Sequence, residues 1–224
     1  PAHQRRLRIR TRPEDFRVCE EPLYEPSDEG KHTFLLVEKT GRTTEQVAGD
    51  LSRASGVAQR DVGYAGRKDR HAVTRQWFSV RTVGKVVDWR ALDIEGVAVL
   101  EATRHDRKLR RGAHRANRFR IVLVDVTPHD FAALVARVDR IREFGVPNYF
   151  GPQRFGHQGN NLRAAEQLFH HPDQRLPRHL RSIYLSAARS HLFNQLLAWR
   201  VADGSWNRVQ PGELLVFDDG QPFF

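Results

Sequence analysis

Apolar residues in the first 124 positions come in short runs, and this spacing limits the fold more than any other feature of the chain. Runs at 7–10, 16–20, 33–38, 61–65, 73–80, 97–102 and 119–124 are separated by turn-forming Pro, Asp and Gly, and read as strands. Two helical patterns interrupt them. Thr43-x-x-Gln46 is a capping box, Val47 and Leu51 form an i, i+4 apolar pair, and Gly56 is placed to end that helix. Thr127-Pro128 is a cap followed by proline at the first helical position. Phe131, Leu134, Val135, Val138 and Ile141 then give the second helix an apolar face. The texture changes after Phe144. Residues 145–159 are rich in Gly, Pro, Asn and aromatics and read as an ordered loop, with helical patterns following at 162–169 and 183–201. A boundary is therefore expected near Gly145, with mixed sheet and helix over 1–145 and mostly helix over 146–224.

The formal charge of +10 and pI of about 10.5 point to an anionic partner. RNA, DNA and an anionic membrane surface all fit that charge. Of the 37 cations, 32 are Arg, whose planar fork binds phosphate bidentately and stacks on bases. An Arg-rich genome would give the same bias. Cys19 is the only cysteine, which excludes an internal disulfide and a thiolate-rich zinc site. No stretch approaches the ~18 apolar residues of a membrane span, and Pro1-Ala2-His3-Gln4-Arg5-Arg6 lacks the apolar core of a signal peptide. A cytoplasmic location is expected. The chain has no His-Glu-x-x-His metal motif, phosphate loop, dinucleotide fingerprint or Gly-x-Ser-x-Gly elbow.

The most informative segment is Gly63-Tyr64-Ala65-Gly66-Arg67-Lys68-Asp69-Arg70-His71-Ala72-Val73-Thr74-Arg75-Gln76. Tyr64 and Val73 lie in apolar runs. Between them a single carboxylate, Asp69, is surrounded by Arg67, Lys68, Arg70 and Arg75. Nearby cations favour the ionised carboxylate at neutral pH, and the same cations can hold RNA phosphates. An ionised carboxylate beside a backbone-binding surface suits attack on a sugar carbon or removal of a sugar proton. A surface turn with ordinary ion pairs would have the same composition.

The segment resembles the signature of the TruD family of tRNA pseudouridine synthases, Gly-x-Lys-Asp-x-x-Ala-Val-Thr-x-Gln, at Gly66, Lys68, Asp69, Ala72, Val73, Thr74 and Gln76. Asp15-Phe16-Arg17-Val18-Cys19-Glu20, Lys108-Leu109-Arg110-Arg111-Gly112, Asn117-Arg118-Phe119 and Asn148-Tyr149-Phe150-Gly151-Pro152-Gln153-Arg154-Phe155-Gly156 resemble further motifs of that family, in the same order. The resemblance implies an α+β pseudouridine synthase fold around a mixed, largely antiparallel sheet. Residues 1–145 would form the N-terminal part of the catalytic domain, and 146–224 the start of a family-specific insertion domain. It also implies isomerisation of uridine to pseudouridine in tRNA, at position thirteen of the D arm, with no metal, redox cofactor or ATP. By the same resemblance Asp69 is the carboxylate acting at the ribose, by covalent addition or by abstraction of a sugar proton.

The target base must leave its stack before an enzyme can work on it. Phe119 is the first candidate to replace the lost stacking and Phe16 the second, though strand phenylalanines are usually core. Asn117 is expected to orient Asp69. Lys68 is expected to pair either with phosphate or with Glu20. Arg67, Arg70, Arg107, Lys108, Arg110 and Arg111 form the expected RNA-backbone set. Residues 104–120 carry eight Lys or Arg and one acid, Asp106.

Two other classes compete. One is a non-catalytic RNA-binding protein on the same scaffold, which would gain nothing from a carboxylate amid phosphate-binding cations. The other is a metal-dependent nuclease, which needs several clustered carboxylates where this segment offers chiefly Asp69. A monomer with tRNA as its partner is expected, without an obligatory protein partner. The strand-like residues 213–217 and an Asp218-Asp219-Gly220 turn lead to Gln221-Pro222-Phe223-Phe224. In the family the chain continues past this point. The resemblance therefore implies an incomplete representation, with apolar surface exposed around Phe223 and Phe224 and, standing alone, an inactive or aggregation-prone fragment.

Overall fold

The computed structural model describes residues 7–213, 215–216 and 222–223. Contacts divide the chain into two units, Pro1–Thr127 and Pro128–Phe224. The helix that opens at Pro128 thus falls in the second unit, one helix earlier than the boundary expected near Gly145.

The first unit is built on a sheet of β1 (Phe16–Pro22), β2 (His32–Thr40), β3 (Val62–Tyr64), β4 (Val73–Arg81), β5 (Val97–His105) and β6 (His114–Ile121). The order is β5-β2-β4-β1-β6, with β3 also paired to β4. Only β1 and β4 run parallel; every other pairing is antiparallel, so the sheet is mixed and largely antiparallel as expected. β1 and β3 share one edge of β4. β1 pairs with its first residues, Val73 to Arg75, and β3 with Phe78 to Val80.

Helix α1 (Thr44–Ser55) has the caps its sequence promised. Thr43 Oγ1 accepts from the Gln46 amide at 3.2 Å, Gln46 Oε1 accepts from the Thr43 amide at 2.8 Å, and Gly56 closes the helix with φ of 61°. Its face of Val47, Ala48 and Leu51 packs on Leu35 and Val37 of β2 and on Phe78 and Val80 of β4. Burying a side chain of that size stabilises by about 1.5–3 kcal/mol. Phe34, Trp77, Ala65 and Leu109 form a second cluster, so β4 is buried on both faces.

Two strand expectations need correction. Residues 7–10 form no strand. Arg8 makes one bridge to Val124, and Arg10 sits at φ of 58°, a left-handed conformation that breaks an extended run. β6 begins at His114, five positions before the apolar run that announced it, because its first half pairs with β1 through backbone bonds that polar residues make equally well.

The second unit contains α2 (Pro128–Phe144), α3 (Asn160–His170) and α4 (Arg178–Ala202). Among the described residues, Ala165 and Leu168 of α3 and Ala187 and Ser190 of α4 are buried. The 148–156 motif is tied to α4 by a reciprocal pair: the Phe150 amide donates to Asn194 Oδ1, and Asn194 Nδ2 donates to the Phe150 carbonyl, both at 2.9 Å. The Phe150 ring packs edge-on to Phe193 with centroids 5.5 Å apart. β7 (Leu215–Val216) pairs with β8 (Pro222–Phe223). The expectation of exposed apolar surface at Phe223 and Phe224 concerns side chains outside the described residues.

Candidate active site

The polar turn between β3 and β4 is held by bonds from three neighbouring segments. Thr44 Oγ1, at the first turn of α1, accepts from the Lys68 amide at 2.9 Å and donates to Gln76 Oε1 at 2.8 Å. Gln76 Nε2 in turn donates to the Gly66 carbonyl at 3.1 Å. The Gly41 amide donates to the Arg70 carbonyl at 3.2 Å, and Arg70 Nε donates back to the Gly41 carbonyl at 2.9 Å. The Gly112 amide donates to the Ala65 carbonyl at 2.8 Å. Lys39, only 1% exposed, donates from Nζ to the carbonyls of Arg42 and Asp69, each at 2.8 Å, and to that of Lys68 at 3.5 Å.

These bonds fix the main chain on either side of Asp69 and leave its side chain 50% exposed. Among the described residues the carboxylate pairs with one cation, Arg10, whose Nη2 stands 3.4 Å from Oδ2. The Arg10 guanidinium also lies over the Phe16 ring, 3.8 Å from its centroid. An ion pair this exposed contributes only about 0–1 kcal/mol. Its consequence is placement: the carboxylate and guanidinium share one half-open surface. Arg10 was missed in the sequence because it sits in an evenly basic run, 59 positions from Asp69.

Strand register lines up the remaining groups. Lys39 is opposite Thr74, Thr74 opposite Val18, and Val18 opposite Phe119. Paired residues point to the same face, so these four form a row across β2, β4, β1 and β6. Phe119, at the end of the row, is 56% exposed and so presents an open ring. Phe16 is the reverse case. It is 5% exposed, clusters with Val18 and Ala72, and stands 5.9 Å from the Phe119 ring. With Arg10 over its ring, Phe16 supports Phe119 and presents no free stacking face of its own.

Lys68 resolves to one of its two expected partners. Its ammonium pairs with Glu20 at 2.5 Å, and the two side chains are 6% and 1% exposed, so Lys68 is not available to phosphate. Glu20 also accepts from the Trp77 amide at 3.2 Å, where β1 leaves the edge of β4. The pair bolts the turn to β1, and Glu20 is as inaccessible to substrate as Lys68. Asn117 faces Glu20 across β1 and β6. Among the described residues it makes no hydrogen bond to Asp69, and its Oδ1 is buried without a partner. An orphaned buried acceptor is costly unless something fills it.

The basic loop after β5 is anchored at Leu109, 3% exposed, whose amide donates to Ser79 Oγ at 2.9 Å. Gly63 makes room for it: a Cβ there would lie 2.3 Å from the Leu109 carbonyl oxygen. The anchor turns Arg110 and Arg111 outward. Arg107 meets Asp106 at 3.3 Å, and Lys108 donates to the Arg60 carbonyl. Arg107, Lys108 and Arg110 line an open cavity with Tyr24, His32 and His105, and the Tyr24 and His105 rings stack there with centroids 5.2 Å apart. Arg67 is exposed and pairs with Glu45. Arg70 is committed to Gly41 through Nε. Among the described residues no group of three or more His, Cys, Asp or Glu could hold a metal ion, and no helix is long and apolar enough to cross a membrane.

A family model described as tRNA pseudouridine synthase D (TruD) matches residues 4–172 and 159–223. A tRNA pseudouridine synthase D of Methylococcus capsulatus is 56% identical over 220 residues, covering 98% of this chain and 62% of that protein. One from Pseudomonas aeruginosa is 51% identical over 212 residues, covering 94% of this chain and 59% of that protein. The chain thus spans about three fifths of the length of the curated relatives it matches. A crystal structure from Methanosarcina mazei that carries the TruD name superposes with a TM-score of 0.75 over 97% of this chain and 66% of that one, at 23% identity, and so shares the fold. With the motif, the sheet and these relatives in agreement, the chain belongs to the tRNA pseudouridine synthase D (TruD) family.

Proposed function

We propose that the site isomerises uridine to pseudouridine in tRNA, and that the base is uridine 13 of the D arm. The observation that carries this reading is the state of Asp69: its main chain is bonded on both sides while its carboxylate stays half open beside Arg10. Binding alone would not call for a fixed, accessible carboxylate among phosphate-binding cations. Asp69 acts at the ribose, by addition to the anomeric carbon or by abstraction of a sugar proton. Either route needs a free carboxylate oxygen aimed at the sugar. In the net reaction the C1′–N1 bond breaks, a C1′–C5 bond forms, N1 gains a proton and C5 loses one.

The open ring of Phe119 stacks on the extruded base, a contact worth ~1–3 kcal/mol. Asn117, half-buried opposite Glu20, turns its amide nitrogen to that base while its Oδ1 stays buried. Arg107, Arg110 and Arg111 hold the RNA backbone, with Arg67 and Lys108 beside them. The protein acts in the cytoplasm on tRNA, without a metal or organic cofactor.

The test is pseudouridine mapping after incubation with unmodified tRNA. Pseudouridine at position 13 with wild-type protein and none with Asp69→Asn is the expected result. Retained turnover in pure Asp69→Asn would remove Asp69 from the reaction. Modification at another uridine would overturn the position. Tight tRNA binding by a wild-type protein that forms no pseudouridine would favour a binding protein on this scaffold.

A further inference from the structure

We propose that Lys39 is a positioning residue for Asp69: its ammonium gathers the main-chain carbonyls of Arg42, Lys68 and Asp69 and thereby sets where the Asp69 carboxylate stands. The inference rests on the functional reading above for its effect on turnover, and on geometry alone for the clamp itself.

The clamp is unusual in what it contains. A lysine ammonium has three donors and no acceptor. Here it is buried in a strand, and the three acceptors around it are main-chain carbonyls from two different segments. Two belong to the turn that carries Asp69, and the third, Arg42, belongs to the link between β2 and α1. Burying an ammonium without a carboxylate partner is expensive. A strand that needed only an apolar residue opposite Thr74 and Val97 would not carry one.

Rigid placement explains the arrangement. Lys39 belongs to the nine-residue β2, which is bonded along both edges. The sheet row that passes through Lys39 ends at Phe119, so the group that sets the carboxylate and the ring proposed to stack on the base share one rigid frame. A carbonyl oxygen and the side chain of the same residue are linked through Cα, so holding the Asp69 carbonyl limits the directions its carboxylate can take.

The clamp also depends on charge. The neutral amine has two hydrogens for three carbonyls. Burial pushes the Lys39 ammonium down from the usual lysine range to about 8. Asp69 in the turn and Glu45 on α1 oppose that fall, and Lys68 in the turn adds to it. The strand neighbours Thr74 and Val97 carry no charge. Full clamping therefore belongs to pH values below about 8 and weakens above it.

The experiment has two arms, using the full chain. In the first, kcat and KM for tRNA are measured against pH for wild type, Lys39→Met and Lys39→Gln. Misplacing a reacting group by about 1 Å can cost up to about 100-fold, so kcat should fall by about 10- to 100-fold with KM held within about threefold. Wild-type kcat should decline above about pH 8, and the variants should lack that limb. In the second arm, residue-resolved hydrogen exchange reads the amides of Lys68 and Gly41, whose acceptors are Thr44 Oγ1 and the Arg70 carbonyl. Their protection factors should drop in Lys39→Met, and in wild type between about pH 7 and pH 9, while β4 amides keep theirs.

Near-normal kcat in a folded Lys39→Met overturns the proposal, and so does unchanged protection at Lys68 and Gly41. Should Lys39→Met fail to fold, the wild-type pH dependence of protection decides alone. Loss of protection in a protein that makes no pseudouridine would sustain the clamp and overturn the functional reading instead.

Discussion

Replacing Lys68 by Met should destabilise the first unit by about 3–5 kcal/mol, the cost of leaving one member of a buried ion pair uncompensated. The structure sets the size. Glu20 is 1% exposed and Lys68 6%, with 2.5 Å between the charged atoms, so water cannot replace the lost ammonium. Glu20 would keep only the Trp77 amide, through its other oxygen. Met preserves most of the lysine stem, so the change tests the charge and not the packing. Urea unfolding followed by tryptophan fluorescence gives the free energy. In a domain of this size the same loss lowers Tm by roughly 10–20 °C. Glu20→Gln should be milder, because the amide oxygen still accepts from Trp77. The double variant should be less damaged than the sum of the two by about 1–3 kcal/mol. A Lys68→Met cost below about 1 kcal/mol, the level of an exposed pair, would refute the reasoning and reopen Lys68 as a phosphate ligand.

Asp69→Asn should abolish pseudouridine formation while tRNA affinity, measured by filter binding, stays within about twofold, since the carboxylate adds little to the binding of a polyanion. Phe119→Ala should reduce turnover at a stability cost below about 1 kcal/mol, because the ring is 56% exposed; a low-melting variant with normal activity per folded molecule would make Phe119 a packing residue. Replacing Arg107, Arg110 and Arg111 together by Ala should flatten the salt dependence of tRNA binding by about two to three units of log–log slope, and an unchanged slope would place the RNA track elsewhere. The Lys39 amine has a folded value of about 8 against an unfolded value near 10.5, so between those pH values the unfolded chain binds more protons there and this group makes stability rise with pH. Subtracting the Lys39→Met stability profile from that of wild type should isolate that rise, and a flat difference would show that Lys39 is not strained by burial.

The sequence by itself determined the parts of this protein that depend on neighbours along the chain. Capping at Thr43 and Gln46, the left-handed stop at Gly56, and the strands at Phe16, His32 and Val73 follow from residues within a few positions of each other. The motif around Asp69 was equally legible, because its own residues, Gly66 to Gln76, lie within ten positions and Gln76 bonds back to the Gly66 carbonyl. What the tertiary structure decided are pairings whose partners are far apart. Arg10 reaches Asp69 across 59 positions, and Lys68 chooses Glu20 over phosphate across 48. Lys39 reads as an ordinary strand lysine until the sheet brings the turn over it. The fates of Phe16 and Phe119 separate for the same reason. Both are strand phenylalanines in recognised motifs, but Arg10 folds over one and the sheet leaves the other open. Local pattern sets which way a side chain points relative to its own strand. Only the closed fold sets what stands opposite it, and burial, ion pairing and access to substrate all depend on that.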